Sequence, residues 1–368
     1  MREPGAGIDQ TAEQRALRDA VRSLLARRRE PAGDGGPGYD PELWRRLCQQ
    51  IGVAGLAVPG QYGGAGAGPV ETHIVAEELG RDLIPTPLLG SAVLAGQLLL
   101  ASGDDDACQR LLPGIADGSV LAAVAWAGPA GHWDPAEAAC TAVAAADGWR
   151  LHGEAHYVLY GDAAGVLLVP ARAPGGIGLF QVDPQGDGVT RAAGIAMDMS
   201  LRVTSVRLEG AVGQRIGADA GRPALARARD LACVALSAEQ VGAAQQALAQ
   251  TAGYTLARVQ FGRAIGSFQA LQHRMADLYV LVESARSLSY AAAAATDEPD
   301  FALRAAAAHA YCAETLTAAA GEMIQLHGAI GVTWEHGAHR YLKRAHAAAQ
   351  LFGPPAAHVA RIAAGLLD

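Results

Sequence analysis

Arg258-Val259-Gln260-Phe261-Gly262-Arg263, followed by Ile265, Phe268, Gln269 and Gln272, is the stretch on which the reading of this chain turns. It closes a segment that opens at Pro223 and reaches about Leu256 without an internal proline. One helix of roughly 50 Å is expected there, at 1.5 Å per residue. Leu231, Val234, Ala238, Val241 and Gln245 fall on one of its faces. Downstream, helical patterns are expected at Gln269–Ala295, Phe301–His327, His336–Leu351 and Pro355–Leu367. Long helices of this kind pack as an antiparallel bundle.

Upstream the pattern changes. Leu121 to Trp126, Trp149 to Tyr160, Val166 to Arg172, Ile177 to Val182 and Leu201 to Leu208 are short runs bounded by Gly, Pro and Asp. Asp147-Gly148 between two of them favours a tight hairpin. Strands this close, with no helix between them, predict an antiparallel sheet. Earlier still, Gln10 to Arg28 is amphipathic, and a Pro/Gly-rich loop follows from Pro31 to Gly38. Pro41 then opens a second helix, where its missing N–H costs nothing. Val70 to Gly80 and Leu88 to Ser102 supply two more. The expected fold class is mainly α with an inserted β domain. The expected divisions are an N-terminal helical domain at 1–118, a middle β domain at 119–215 and a C-terminal helical bundle domain at 222–368.

Composition agrees. Apolar residues make up 51% of the 368 and aromatic ones only 5%, so alanine and small aliphatics carry the core. Alanine is the best helix former because it loses no side-chain entropy. The formal net charge is −8 and the basic residues are scattered, without the broad stripe of a nucleic-acid binder. Five widely spaced cysteines form no CxxC pair, so neither a disulfide framework nor a zinc site is expected. No apolar run approaches the roughly 20 residues of a membrane span, and no signal-peptide pattern opens the chain. A cytoplasmic protein is expected.

A second motif, Gln325-Leu326-His327-Gly328-Ala329-Ile330-Gly331-Val332-Thr333, joins the first. With Gly55-Leu56-Ala57-Val58-Pro59, Glu77-Glu78-Leu79-Gly80-Arg81 and Gly148-Trp149-Arg150-Leu151-His152-Gly153, these stretches resemble the acyl-CoA dehydrogenase superfamily along nearly the whole chain. The patterns matched are R-x-x-F-G…F-Q, Q-x-x-G-G-x-G and the G-W-x-L-x-G hairpin. The resemblance implies the three-domain acyl-CoA dehydrogenase fold, FAD as cofactor, an acyl-CoA substrate and α,β-dehydrogenation of its thioester. It places Arg258 on the FAD pyrophosphate, a task suited to a planar guanidinium. Phe261 and Gln269 would lie against the cofactor, and Gln325, Gly328 and Ala329 would form the bend at its pyrophosphate and adenosine. By spacing alone, Arg258 reads rather as a solvated helix-end residue and 325–331 as a helix-ending loop; the matched motifs reverse both readings. Asp230 aligns with a residue that contacts the pantetheine arm, so a substrate-binding role is implied.

The catalytic residues depart from the family. Its glutamate base, in Y-E-G-T, falls on Phe352, which cannot take a proton. The alternative position on the first long helix is Ala232. Glu239, seven residues on and facing roughly the same way, is the candidate for a displaced base, against the plainer reading of a packing or solvated glutamate. The family's flavin-loop and W-[IV]-T positions correspond to Trp126–Gly131 and Tyr157–Tyr160, with Leu159 where a threonine reaches the flavin. Such losses imply division of labour between chains. The sequence resembles FadE-type subunits of heteromeric (α2β2) actinobacterial dehydrogenases that act on sterol side chains, so a homologous dehydrogenase subunit is the expected partner, with a homo-oligomer as the alternative. Two rival functions are a non-catalytic structural subunit completing a partner's FAD site and a flavin-dependent monooxygenase on the same fold. Glu335-His336-Gly337-Ala338-His339 lacks the H-E-x-x-H order, so no metal is expected there.

Overall fold

The computed structural model describes residues 10–27, 38–146, 148–217 and 221–367. Arg28, Arg29, the loop from Pro31 to Pro37 and Asp147 lie outside them. Helix α1 spans Ala12–Ala26 and begins with a reciprocal Thr11–Gln14 capping box. Helix α2 is Pro41–Ile51, capped by Asp40 with the proline in its first turn. Helix α3 is Pro69–Arg81. The stretch expected as one helix over 88–102 changes its winding: Leu88–Ala95 is π-helical and runs into α4, Gly96–Ser102. A further helix, α5 at Asp105–Ala116, was not foreseen, because Pro113 sits inside it and masks the pattern.

Seven strands follow: β1 Ala122–Val124, β2 Cys140–Ala145, β3 Gly148–Leu159, β4 Val166–Ala173, β5 Gly176–Val182, β6 Val189–Ala193 and β7 Val203–Ile216. The sheet is not wholly antiparallel as expected. β4 runs parallel to both β1 and β2. The other pairings, β2–β3, β3–β7, β7–β5, β5–β4 and β6–β7, are antiparallel. The ring β2–β3–β7–β5–β4–β2 therefore closes on itself, which removes most exposed edges. Its interior is a small core of its own, with Leu151, Val158, Leu167, Phe180 and Val206 fully buried.

Helix α6 spans Gly221–Ala257, α7 Gln269–Ala294, α8 Phe301–His327, α9 Ala338–Ala348 and α10 Pro355–Leu367. Shared cores give the directions. The start of α6 (Leu231, Val234) meets the end of α7 (Ala292, Ala293) and the start of α8 (Phe301, Ala305). Farther along, Ala243, Ala244 and Ala247 of α6 meet Leu316, Ala319 and Ala320 of α8. α6 and α8 thus run side by side in one direction with α7 against them, and their C-terminal ends come together.

Helix α3 crosses α6 at backbone contact. A Cβ on Gly80 would stand 2.1 Å from the Glu239 carbonyl oxygen, and one on Gly242 would stand 2.0 Å from that of Glu77. Glycine at both positions permits the crossing. Beside it lies a buried charge network. Glu77 is fully buried and accepts bonds from Arg286, from Arg18 at 2.9 Å and from Tyr290 at 2.9 Å. Burial pushes the Glu77 carboxyl up, but Arg286 and Arg18 outweigh it and bring the pKa to about 2.

Candidate functional site

The first motif forms a two-stranded hairpin, Val259–Gln260 against Arg263–Ala264. Phe261 and Gly262 make its turn, with φ of 52° and 74°. Two successive positive φ values are those of a type I′ turn, which normally takes Asn-Gly. A phenylalanine there carries about 1–2 kcal/mol of backbone strain. The turn projects the Phe261 ring outward, 91% exposed and edge-on to Phe268 at 6.2 Å. The Arg263 guanidinium caps the Phe268 ring at 3.9 Å. Arg258 and Gln269, the latter opening α7, are exposed, and their side chains make no hydrogen bond or ion pair among the described residues.

The second motif ends α8. Gln325 is exposed in the last turn, and Gly328 ends the helix with φ 64° and open space where a side chain would stand. Ala329, at the family's second glycine, is exposed and needs no positive φ. The tertiary structure brings the two motifs together. Tyr254, one turn before Arg258, stacks on His327 with ring centroids 4.3 Å apart. Its hydroxyl donates to the His327 carbonyl at 3.4 Å. A free guanidinium, two free amides and an unobstructed glycine backbone on one exposed corner fit the pyrophosphate and adenosine end of FAD. Leu256, Val259, Val332 and Trp334 are also exposed.

The position of the usual base is occupied differently. Phe352 is 1% exposed and packs edge-on to Trp133 at 5.1 Å, which packs edge-on to Trp126 at 5.6 Å. Phe352 and Gly353 have φ of 62° and 114°. Two buried histidines hold this bend: His358 Nε2 lies 3.2 Å from the Phe352 carbonyl and His309 Nε2 3.1 Å from that of Gly353. Burial lowers both imidazoles, to about 4 and about 3 respectively, so each is neutral and donates its Nε2–H. On the outer side opens a cavity of about 630 Å³ lined by Trp133, Arg222, Arg229, Phe352, His358 and Arg361 among others. A small, mostly apolar pocket of about 30 Å³ lies among Val53, Ala92, Leu231 and Ala235, between α6 and the N-terminal helices.

Asp230 is buried beside the outer cavity, and its carboxylate is taken up by protein. Arg361 donates to both oxygens at 2.7 and 2.6 Å, and Arg229 approaches at 3.3 Å. The guanidiniums, not the carboxylate, face the cavity. Neither arginine was singled out from sequence; Arg361 sits 131 residues from its partner. Ala232 is fully buried. Glu239 does not line the cavity; it pairs with Arg344 at 3.6 Å, and Arg344 also binds Asp198. Burial pushes the Glu239 carboxyl up, Arg344 draws it down and Asp198 raises it again, leaving it at about 7. Leu159, at the family's threonine, is 3% exposed, with its Cβ 2.7 Å from where a Cβ on Gly90 would stand. Its side chain offers the flavin ring no hydrogen bond where the family has a hydroxyl. His336 lies tilted over His327 at 4.3 Å, and His339 stands edge-on to Trp334 at 4.5 Å.

Comparison with known proteins gives the family. The model of the acyl-CoA dehydrogenase N-terminal domain matches residues 11–119, and that of the C-terminal domain matches residues 221–367. The acyl-CoA dehydrogenase IpdE2 of Mycolicibacterium smegmatis is 37% identical over 357 residues, covering 96% of this chain and 98% of that protein. Among solved structures, a steroid ACAD, the Tcur3481-Tcur3483 G363A variant, superposes with a TM-score of 0.86 at 32% identity, covering 97% of this chain and 99% of the other. The ChsE4-ChsE5 complex from Mycobacterium tuberculosis does so with 0.88 at 29% identity, covering 98% of each. Among the described residues no helix is long and apolar enough to cross a membrane. With both domain models matched and a relative aligned almost end to end, this chain belongs to the acyl-CoA dehydrogenase family of FAD-dependent oxidoreductases.

Proposed function

We propose that this chain acts as one subunit of a hetero-oligomeric acyl-CoA dehydrogenase, in which a homologous chain supplies the carboxylate base and the contacts to the flavin ring. In this reading Arg258 binds the FAD pyrophosphate, Phe261 and Gln269 lie against the cofactor, and Gln325, Gly328 and Ala329 hold its adenosine end. FAD, when bound, supplies the hydride acceptor for α,β-dehydrogenation of the thioester. The observation that carries the proposal is the contrast between two places in one chain. The arginine–glutamine corner is open, exposed and rich in free donors, whereas Phe352 closes the base position against Trp133.

The outer cavity, with Arg222, Arg229 and Arg361, suits the polar part of an acyl-CoA, and Asp230 serves it by orienting two of those guanidiniums. Glu239 is assigned no catalytic part, because Arg344 engages it away from that cavity. The likeness to a steroid ACAD supports a steroid-derived acyl-CoA as substrate of the assembly, and the heteromeric ChsE4-ChsE5 neighbour supports an α2β2 arrangement. We assign the three domains to 1–118, 119–215 and 222–368, and the protein to the cytoplasm.

The test is flavin content. This chain purified alone should be colourless, and co-expression with a homologous chain that keeps the glutamate should give a yellow complex bleached by acyl-CoA without oxygen. Arg258→Ala should lower the flavin retained by that complex. A stoichiometric flavin bound by the isolated chain, or unchanged flavin in the Arg258→Ala complex, would overturn the proposal.

A further inference from the structure

Midway along the seam between α6 and α8, small residues predominate beside Leu316. Ala243, Ala244 and Ala247 meet Ala319 and Ala320, all at most 1% exposed. At its C-terminal end the pattern switches to rings. Tyr254 from α6 stacks on His327 from α8 at 4.3 Å and an interplanar angle of 29°. His336 covers His327 at the same 4.3 Å, tilted by 38°. The three rings come from α6, from α8 and from the loop before α9.

Each ring is pinned to its own element. His327 Nδ1–H donates to the Met323 carbonyl at 2.7 Å, and His336 Nδ1 accepts from the Ala338 N–H at 3.1 Å. Tyr254 is tied to both motifs. Its carbonyl accepts the Arg258 N–H at 2.8 Å, and its hydroxyl reaches the His327 carbonyl, one residue before Gly328. The spacing between the Arg258 corner and the Gln325–Ala329 bend is therefore fixed by stacked rings. A guanidinium that grips phosphate by two bonds must be placed within about 0.5 Å to do so. Alanines at this point would let the helix ends approach; rings hold them apart at a set distance.

We propose that Tyr254, His327 and His336 form a positioning bracket that sets how tightly the shared corner holds FAD, without touching the cofactor themselves. The proposal rests on the half-site reading given above for Arg258 and Gln325. Stacking requires a flat ring and not a particular polar group, so conservative ring-for-ring changes should preserve it.

The test uses the assembly of this chain with its flavin-bearing homologue, stripped of FAD and titrated with FAD by fluorescence. Tyr254→Ala and His327→Ala should each raise the FAD dissociation constant about tenfold, or about 1.4 kcal/mol. Tyr254→Phe and His327→Phe should stay within about twofold of the parent. The thermal midpoint of the flavin-free assembly should move by no more than about 4 °C, so that a general loss of stability does not account for the change. If Tyr254→Ala does not assemble, Tyr254→Leu replaces it, with the same tenfold rise expected. FAD affinity unchanged in the alanine or leucine variants, or lost as fully in Tyr254→Phe as in Tyr254→Ala, overturns the bracket. Arg258→Ala, titrated alongside, separates the two ideas. If it leaves FAD affinity intact the half-site reading fails and the bracket with it. If it weakens FAD while Tyr254→Ala does not, the bracket alone fails.

Discussion

The Phe352 ring stands edge-on to Trp133, with centroids 5.1 Å apart and 70° between the planes. This pair sits where the family keeps an ionisable carboxyl, and it turns a reactive position into a packed one. Phe352→Ala should leave a cavity between Trp133 and the histidine-held bend and destabilise the chain by about 3–5 kcal/mol. Urea unfolding at constant m-value would check this. A loss below about 1 kcal/mol would mean that the aromatic contact is incidental.

Glu239 should make stability pH-dependent in a direction opposite to the usual carboxylate. Its folded-state pKa of about 7 lies above the usual glutamate value of 4.5, so the folded chain holds the proton more tightly. Stability is full below about pH 4.5 and falls as pH rises through 7. Glu239→Gln removes that penalty. It should gain up to about 3 kcal/mol on the parent at pH 8 and little at pH 5. Equal effects at both pH values, in urea melts, would show that the carboxyl ionises normally.

Glu77 behaves in the opposite sense. Its pKa of about 2 lies below 4.5, so its contribution is present above pH 4.5 and is lost as pH falls towards 2. Glu77→Gln leaves the Arg286 and Arg18 guanidiniums facing a neutral group, with Arg286 2% exposed. Uncompensated buried charge costs about 3–5 kcal/mol. The variant should unfold at lower urea at pH 7, and the difference from the parent should shrink on acidification. A constant difference down to pH 2 would contradict the ionic account.

Gly242→Ala sets helix propensity against steric contact. In an open helix interior the change should help by about 1 kcal/mol. Here the new Cβ would stand 2.0 Å from the Glu77 carbonyl oxygen, so α3 and α6 must separate along their crossing. Sterics win, and a net loss of more than about 2 kcal/mol is expected. Gly253, with nothing near its Cβ position, is the internal control: Gly253→Ala should be neutral or stabilising. Calorimetry on the two variants decides the matter.

Much of the helical architecture was legible because long segments free of proline carry their own periodicity: α6, α7, α8 and α10 begin and end within a few residues of expectation. Two strands escaped notice. β2 reads Cys-Thr-Ala-Val-Ala-Ala, and β6 is five residues with four of them small or polar, so neither shows a strand's apolar alternation. The parallel pairing of β4 with β1 and β2 was also invisible, because it depends on how the ring closes. At the site, the motif residues and the missing glutamate were readable one by one. The fate of Asp230 and Glu239 was not, because Arg361 and Arg344 lie more than 100 residues away along the chain.

By itself the sequence determined which residues carry chemistry and which have lost it, since side-chain identity decides whether a group can donate, accept or ionise. Only the tertiary structure decided what those groups do: which carboxylates are tied up by guanidiniums, that Phe352 fills its site, and that Arg258 and Gln325 share one corner. The reason is physical. Burial, pairing and ring contact act over a few ångströms in space, and the folded chain brings within that range residues that the sequence keeps far apart.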